Sequence, residues 1–446
     1  MQKLTMHVGL DDTDSTRKGC TTYVTALLVE KLEKLNVKFL DYPNLIRLNP
    51  NVPWKTRGNG ALCLRIEYDE DIEDQIKEAA ISLVEEHADL NFKGTDPGIV
   101  FFGKKEIPKE VKTFAQKAIT GIVTLKEAMK LIRTFEGEAL GFNTCRGIIG
   151  ALAAIGETLE GDHTYELIAY RRPENYGLQR KVDAASIFEM DESTQPYTFN
   201  NVDLEKGRVI ITPRGPDPIL LGIRGETPEI IKKAFGMVKP LEPVERWVIF
   251  RTNQGTDAHL KQASALNQLK PYSSIVAKGV VSRSPRIIPV RHVIFSIKDE
   301  SGEADCAAYE PTGTLRKVAK NLIIGDEVEI YGAVRKPSAG RPLTVNLEKI
   351  NIITLAPKMA YKNPVCSNCG KRLKSMGRNQ GFRCEKCRAR FDDVGKVQVA
   401  VERGLKVGLY LTSTRSQRHL TKPLRRYGLE KHEAETQDMI EEWHSP

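Results

Sequence analysis

A chain of 446 residues with 67 lysines and arginines against 58 aspartates and glutamates, net +9, is too long for one hydrophobic core and is expected to divide into three or four domains. No apolar stretch reaches the roughly 20 residues that cross a bilayer, and the first residues run into a strand pattern without signal-peptide character, so a cytoplasmic protein is expected. The positive excess suits a polyanionic partner, a membrane surface or a generally basic proteome.

In chain order, residues 6–10 read as a short apolar strand that ends in Asp11-Asp12-Thr13-Asp14-Ser15 and is followed by Gly19-Cys20-Thr21-Thr22. Clustered acids at a strand tip place hard oxygen ligands where Mg2+ and its bound phosphates can be held. The competing reading is an acidic loop that only caps the next helix. Gly19 supplies a turn, and Thr21 or Thr22 is expected to cap an amphipathic helix that starts near Tyr23 and runs through Leu27, Leu28, Leu32 and Leu35. Either threonine also suits a phosphate ligand, a magnesium ligand or a phosphoryl acceptor.

Arg47 and Asn49 precede the loop Trp54-Lys55-Thr56-Arg57-Gly58-Asn59-Gly60, whose cations and close backbone N–H groups suit a nucleotide's phosphates. No Walker A ending follows the glycines, so an ATP site here belongs to another type. A strand over 61–66, a helix over 73–90 with Ile76, Ala79, Ala80, Leu83, Val84 and His87 on one face, the turn Gly94-Thr95-Asp96-Pro97-Gly98 and a strand over 99–102 continue the α/β alternation. The nucleotide-binding candidates are therefore Arg47, Lys55, Arg57, Gly58, Asn59, Gly60 and Asp96, and the catalytic candidates Asp11, Asp12, Asp14 and Thr21.

A second unit opens at Gly141-Phe142-Asn143-Thr144-Cys145-Arg146-Gly147 with a helix over 148–155, strands over 165–170, 208–211 and 219–223, and a helix over 228–238. Helices beside a small antiparallel sheet make a ferredoxin-like α+β domain the expectation. From about residue 272 five strands are expected, over 274–281, 292–297, 303–309, 327–334 and 343–353, with a tight turn at 299–302 and a helix over 314–322. That pattern matches an OB-fold, a small barrel that commonly holds single-stranded nucleic acid but also saccharides and proteins.

Cys366, Cys369, Cys384 and Cys387 form two C-x-x-C pairs fourteen residues apart, a spacing that surrounds one tetrahedral, structural Zn2+ and leaves no position for substrate. Between Cys366 and Arg390 eight basic residues face the single acid Glu385, a surface suited to phosphates or simply to solubility. The tail beyond 396 is expected to hold a strand or helix up to Leu411 and then a polar end, whose Lys422, Arg425 and Arg426 either touch RNA or are solvated. A chain ending near Pro364 is accordingly expected to keep its nucleotide site.

Several stretches together resemble the archaeal agmatidine synthetases of isoleucine tRNA, the TiaS family: Gly9-Leu10-Asp11-Asp12-Thr13-Asp14-Ser15, Cys20-Thr21-Thr22-Tyr23, Arg47-Leu48-Asn49-Pro50, Lys55-Thr56-Arg57-Gly58-Asn59-Gly60, Arg146-Gly147-Ile148-Ile149-Gly150-Ala151 and Asn253-Gln254-Gly255-Thr256-Asp257-Ala258-His259. The resemblance implies a multidomain α/β and α+β chain: a kinase-like ATP-binding domain over 1–137, the ferredoxin-like domain over 138–245, the OB-fold with its N-terminal linker over 246–357, the zinc ribbon over 358–396 and an extension over 397–446. It implies an enzyme that uses ATP to activate carbon 2 of the wobble cytidine in a CAU anticodon and replaces its oxygen with agmatine, so that the tRNA reads AUA. Thr21 aligns with the family's autophosphorylated threonine. The alternatives from other classes are an RNA-binding protein without catalysis and a wobble-cytidine ligase that uses another amine, such as lysine.

Overall fold

Alternation with a period of two divides the first strands between two cores. The structure, a computed structural model, describes residues 3–338, 342–432 and 438–445. Strand β1 (Lys3–Asp11) sends Met6, Val8 and Leu10 to one face, where α1 (Thr21–Lys34) and, further on, α2 (Glu73–His87) bury Val24, Leu28, Leu32, Leu83 and Val84. Between these helices come β2 (Lys38–Phe39), β3 (Asn44–Arg47) and β4 (Gly60–Asp69); after them come β5 (Gly98–Phe102), α3 (Lys109–Thr120), α4 (Leu125–Thr134) and β6 (Glu138–Gly141). The opposite face, with Cys63, Val100 and Phe102, is covered by α3, α4 and α5 (Gly147–Gly156).

Helix α5 is apolar on every side, as its sequence Gly-Ile-Ile-Gly-Ala-Leu-Ala-Ala-Ile-Gly requires of a fully buried helix. Although it opens the second unit of the sequence, it packs on β1, β4 and β5 of the first. The approach is so close that a Cβ on Gly9 would run into the Ala151 carbonyl oxygen, and one on Gly150 into the Asp11 carboxylate.

The second unit contributes β7 (Thr164–Arg171), α6 (Ala184–Thr194), β8 (Thr198–Phe199), a separate hairpin of β9 (Val202–Asp203) and β10 (Arg208–Val209), β11 (Ile219–Gly225), α7 (Pro228–Met237) and β12 (Val244–Thr252). The strand expected over 208–211 is thus only the second arm of that hairpin. Both units share one ten-stranded sheet in the order β6-β5-β1-β4-β3-β12-β7-β11-β8, with β2 on β4. The seam is the parallel pair β3–β12, in which Asn44 faces Arg251 and Leu45 faces Thr252. Residues 246–252, expected in a linker, lie in that seam strand.

After β13 (Leu260–Gln262), the strands β14 (Ser274–Ile288), β15 (His292–Lys298), β16 (Glu303–Ala308), β17 (Glu327–Arg335) and β18 (Thr344–Thr354) pair in the order β14-β15-β16-β18-β17. Strand β17 returns to β14, with Val280 opposite Glu327, so the five close on themselves around a core that includes Val281, Phe295, Ile330 and Ile350. Helix α8 (Thr314–Lys320) buries Leu315, Val318 and Ala319 in the same core.

A two-stranded ladder of β19 (Lys358–Lys362) and β23 (Val397–Val401) carries a small unit with β20 (Lys374–Ser375), β21 (Phe382–Arg383) and β22 (Arg390–Phe391). Its only core is Cys366, Leu373, Phe382 and Cys384, flanked by Cys369 and Phe391. The chain then returns: β24 (Gly408–Leu411) adds to β18, Leu420 enters the core around α5, and Trp443 packs on Phe39 and Tyr42.

The expectation of a solvated or RNA-touching Lys422-Arg425-Arg426 cluster is corrected by this return. Arg426 is fully buried and forked to both Glu226 and Asp162, Arg425 is paired with Asp191 at 2.7 Å, and Lys422 with Glu430 at 2.9 Å. Buried guanidinium groups persist only with such partners. The tail is therefore a strap across the body, and a chain cut near Pro364 would lose it.

Candidate active site

A cavity of about 820 Å³ lies where the acids at the end of β1, the loop between β3 and β4, the first turns of α1 and α5, strands β7 and β11, and the returning strap converge. Among its lining residues are Asp11, Asp12, Asp14, Thr21, Thr22, Arg47, Lys55, Arg57, Gly58, Asn59 and Gly60. All the catalytic and nucleotide-binding candidates read from the sequence are thus brought together except Asp96. That residue is buried behind the wall, where its backbone N–H donates to Asp12 Oδ2 at 3.0 Å and its carboxylate accepts the Thr144 N–H at 3.1 Å. Asn49 also turns away, bonded to the Gly121 and Tyr272 carbonyls.

The three acids stand side by side on the cavity wall, each half-buried. Burial, and then the neighbouring Asp12 and Asp14 charges, push the Asp11 carboxyl well above its usual range. Burial together with Asp14 and Asp96 pushes Asp12 up to about 7. Asp14 is also raised by burial, opposed by Arg57, whose Nε donates to Asp14 Oδ2 at 2.7 Å while its other nitrogens reach the Gly19 carbonyl at 2.7 Å and Asp217 at 3.1 Å. Partly exposed carboxyls, of which only Asp14 has a cationic side-chain partner within hydrogen-bond distance, are the kind of oxygen donors a divalent cation takes. Among the described residues, however, only the four cysteines bring three or more ligand atoms within 4.8 Å of one another. The three aspartates do not by themselves gather around one point as the four cysteines do.

Helix α1 begins at Thr21, two residues before the sequence suggests, and its N-cap is Cys20 with no side-chain cap and no acid in the first turn. Thr21 and Thr22 are thus not caps. The Thr21 hydroxyl oxygen accepts from Thr13 Oγ1 at 3.1 Å, which leaves its own proton directed elsewhere, and Thr22 is bonded to the Cys20 sulfur at 3.0 Å. An uncapped helix N-terminus carrying a threonine into a cavity is a place for an anion.

The glycines of the loop have a packing reason. A Cβ on Gly58 or Gly60 would stand 2.7 or 2.9 Å from Arg47 Nη1, so the loop lies directly over that guanidinium. Arg47 is in turn pinned by Asn253, which accepts its N–H at 2.8 Å and donates to its carbonyl at 3.0 Å. Burial lowers Arg47 to about 10. Lys55 stays exposed beside the opening.

Several lining residues are not among the site candidates that the sequence offers: Arg146, which it shows only within a family-like stretch, and Glu166, Asp217, Arg224, Arg418 and His419. Glu166 carried a signal, being the single acid in the otherwise apolar run Tyr165-Glu166-Leu167-Ile168-Ala169-Tyr170. It is buried and accepts from Arg224 at 2.9 Å. Arg418 and His419 arrive from the strap, which gave no such signal.

At the ribbon, Cys366 and Cys387 bring their sulfurs to 3.4 Å, as do Cys369 and Cys384. Four sulfurs in so small a volume are a tetrahedral metal centre's donor set.

Comparison with known proteins matches residues 7–144 to the TiaS TCKD domain, 145–259 to the TiaS FLD domain and 363–405 to the TiaS C-terminal zinc ribbon domain. The chain is 44% identical over 425 residues to the isoleucine-tRNA 2-agmatinylcytidine synthetase TiaS of Archaeoglobus fulgidus, covering 95% of this chain and 98% of that one. This chain belongs to the TiaS family. The apo structure of TiaS, an isoleucine-tRNA agmatidine synthetase, superposes with a TM-score of 0.86 at 43% identity, over 95% of this chain and 98% of the other. A complex of TiaS with isoleucine tRNA, AMPCPP and agmatine superposes with a TM-score of 0.83 at 41% identity, over 95% and 97%. The family's mixed α/β, multidomain architecture with a four-cysteine ribbon is the architecture of this chain.

Proposed function

We propose that this chain is an ATP-dependent ligase that joins agmatine to carbon 2 of the wobble cytidine in the CAU anticodon of isoleucine tRNA, giving agmatidine and AUA decoding. Full-length relatives of that name, and a solved relative complexed with isoleucine tRNA, AMPCPP and agmatine, support the reading. The observation that carries it here is the convergence of Asp11, Asp12, Asp14, Thr21 and the Lys55–Gly60 loop on one cavity.

The chemistry asks for such a site. A cytosine carbonyl is a poor electrophile, so its oxygen must first become a phosphate-type leaving group. Asp11, Asp12 and Asp14 would hold Mg2+, which when bound neutralises phosphate charge. Arg57 and Arg47 supply positive charge from fixed positions, and the first turn of α1 offers its N–H groups to a phosphate. In this reading Thr21, at the first turn of α1 on the cavity wall, is the residue that takes a phosphoryl group from ATP. The amine of agmatine must be deprotonated before attack, and its guanidinium calls for carboxylates and carbonyls. The target base must leave the anticodon stack.

In domain terms the reading is a kinase-like unit over 1–137, a ferredoxin-like unit over 138–245 that is completed by the seam strand through Thr252, an OB-fold in the stretch up to 357, a Zn2+-bound ribbon over 358–396 and the C-terminal extension over 397–446. The closed ring β14-β15-β16-β18-β17 supports the OB-fold assignment. In this reading the enzyme works in the cytoplasm, where its tRNA is; no helix among the described residues is long and apolar enough to cross a membrane.

Mass spectrometry of isoleucine tRNA incubated with the protein, ATP and either agmatine or lysine tests the function. Agmatidine alone is expected; a lysine adduct would move the enzyme to another amine, and no adduct would leave an RNA-binding protein. ATP labelled at its terminal phosphate should mark a peptide containing Thr21. Label that persists in Thr21→Ala would transfer the acceptor role elsewhere.

A further inference from the structure

His419 enters the cavity from the strap, fixed by two backbone bonds that hold its stretch to the loop after β12: the Gly255 N–H donates to the His419 carbonyl and the Asp257 N–H to that of Leu420, both at 2.8 Å. The state of its ring follows from a chain of groups with one permitted direction. Glu166, paired with Arg224, offers only acceptors, so the Gln254 amide nitrogen donates to it. The Gln254 carbonyl oxygen is thereby turned toward His419 Nδ1, 2.9 Å away, and an amide oxygen only accepts. Nδ1 therefore carries the ring proton, and Nε2 is left as a bare lone pair.

Nothing among the described residues donates to Nε2, which lies against Gly58 at the cavity wall: a Cβ there would be 3.0 Å from it. A second proton on the ring is disfavoured, because burial and the cations Arg47, Arg224 and Lys55 hold the imidazole well below its usual range. The same three cations repel an ammonium or guanidinium ligand. The donor that suits this position is a neutral amino group.

We propose that His419 is a specificity residue whose Nε2 accepts a hydrogen bond from the exocyclic amino group of a bound nucleobase, cytosine or adenine. Uracil and guanine present a carbonyl oxygen at the corresponding position, so two lone pairs would face each other and the base would be rejected. Glu166 and Gln254 are positioning residues that fix the tautomer. The proposal rests on the ligase reading for which bases are offered.

The test is steady-state kinetics of the full chain with ATP against GTP and with tRNA bearing cytidine against uridine at the wobble position. In His419→Leu, the KM for the substrate whose base is read should rise roughly tenfold to a hundredfold, and the matching preference should fall by a similar factor. His419→Gln should restore affinity for the amino base yet tolerate the keto base, because an amide turns to donate as well as to accept. A shift confined to the ATP and GTP pair assigns the contact to adenine, and one confined to the tRNA pair assigns it to cytosine. Unchanged KM values and preferences in a His419→Leu protein of parental melting temperature would overturn the proposal.

If the leucine variant does not fold, 15N-histidine spectra of the parental chain decide, and they need no turnover. Nε2 should resonate as an unprotonated nitrogen and move on addition of a non-hydrolysable ATP analogue or of tRNA. A protonated Nε2, or one that neither ligand moves, would overturn the proposal. A parental chain that makes no product would instead count against the ligase reading, leaving these spectra interpretable.

Discussion

The cavity and the ribbon are both built on charge, yet they hold it in opposite ways. Around the cavity and under the strap, charged groups from distant segments are buried or half-buried and interlocked: Arg57 with Asp14 and Asp217 and Arg224 with Glu166 at the cavity, Arg426 with Glu226 and Asp162 beneath the strap. On the ribbon the charges are neighbours in sequence and stand in solvent, where Glu385 pairs with Lys374 at 3.1 Å and Lys371 at 3.8 Å. Buried charge is specific in position and costly to remove, whereas exposed charge acts as a sum and is screened by salt. The first arrangement suits chemistry on a placed phosphate, the second a grip on a polyanion.

The largest effect should come from the cavity. Asp11→Ala or Asp14→Ala should reduce ATP consumption about 10³-fold or more, the scale on which charge-neutralising groups act in phosphoryl transfer, while tRNA affinity in a filter-binding assay stays within a few-fold. Wild-type turnover in both would separate the acids from the reaction.

Next is the strap. Arg426→Ala leaves Glu226 and Asp162 without the guanidinium forked between them and should destabilise the protein by about 3–5 kcal/mol, read by denaturant unfolding. A loss below about 1 kcal/mol would place these charges among the weak surface pairs.

Removing the ribbon sharpens the contrast. Because β19 and β23 pair at its base, it can be excised by joining Lys362 to Val397 through a short turn, which keeps the strap in place. That protein should bind ATP normally but bind tRNA more weakly and with a flatter salt dependence. Chelation of the metal should have the same effect, since so small a core depends on its metal for folding. An unchanged salt slope would reduce the ribbon to a staple.

The smallest effect concerns the joint between the barrel and the strap. Burial alone would raise Glu348, but His259 at 3.0 Å and Arg418 at 3.2 Å hold it down at about 2. A carboxylate lowered on folding contributes stability above its unfolded value, and that contribution is lost as pH falls from about 4.5 toward 2. Glu348→Gln should therefore be less stable than the parent at neutral pH, and the difference should shrink through that window in acid unfolding curves.

What could be read from the sequence follows the same divide. The four cysteines and the basic run are local patterns, complete within 25 residues of chain, and the acid cluster, the glycine loop and the five strands of the ring are local as well. Periodicity also places α2, α7 and α8 close to their observed spans. The failures are long-range. Helix α5 reads as the start of a second unit, and nothing in its apolar run says that it packs on β1. The strap reads as a polar tail because Arg426 is buried only through partners some 200 residues earlier. Thr21 reads as a cap because its bond to Thr13 forms only when the acid loop folds back.

The division of labour between cavity and ribbon is tested most directly by single-turnover formation of agmatidine at saturating tRNA, ATP and agmatine, followed by mass spectrometry. The ribbon-excised protein should form product at the parental rate once saturated, and Asp14→Ala should form none while binding tRNA as the parent does. A ribbon-excised protein that stays slow at saturation, or an Asp14→Ala protein that keeps the parental rate, would contradict the account.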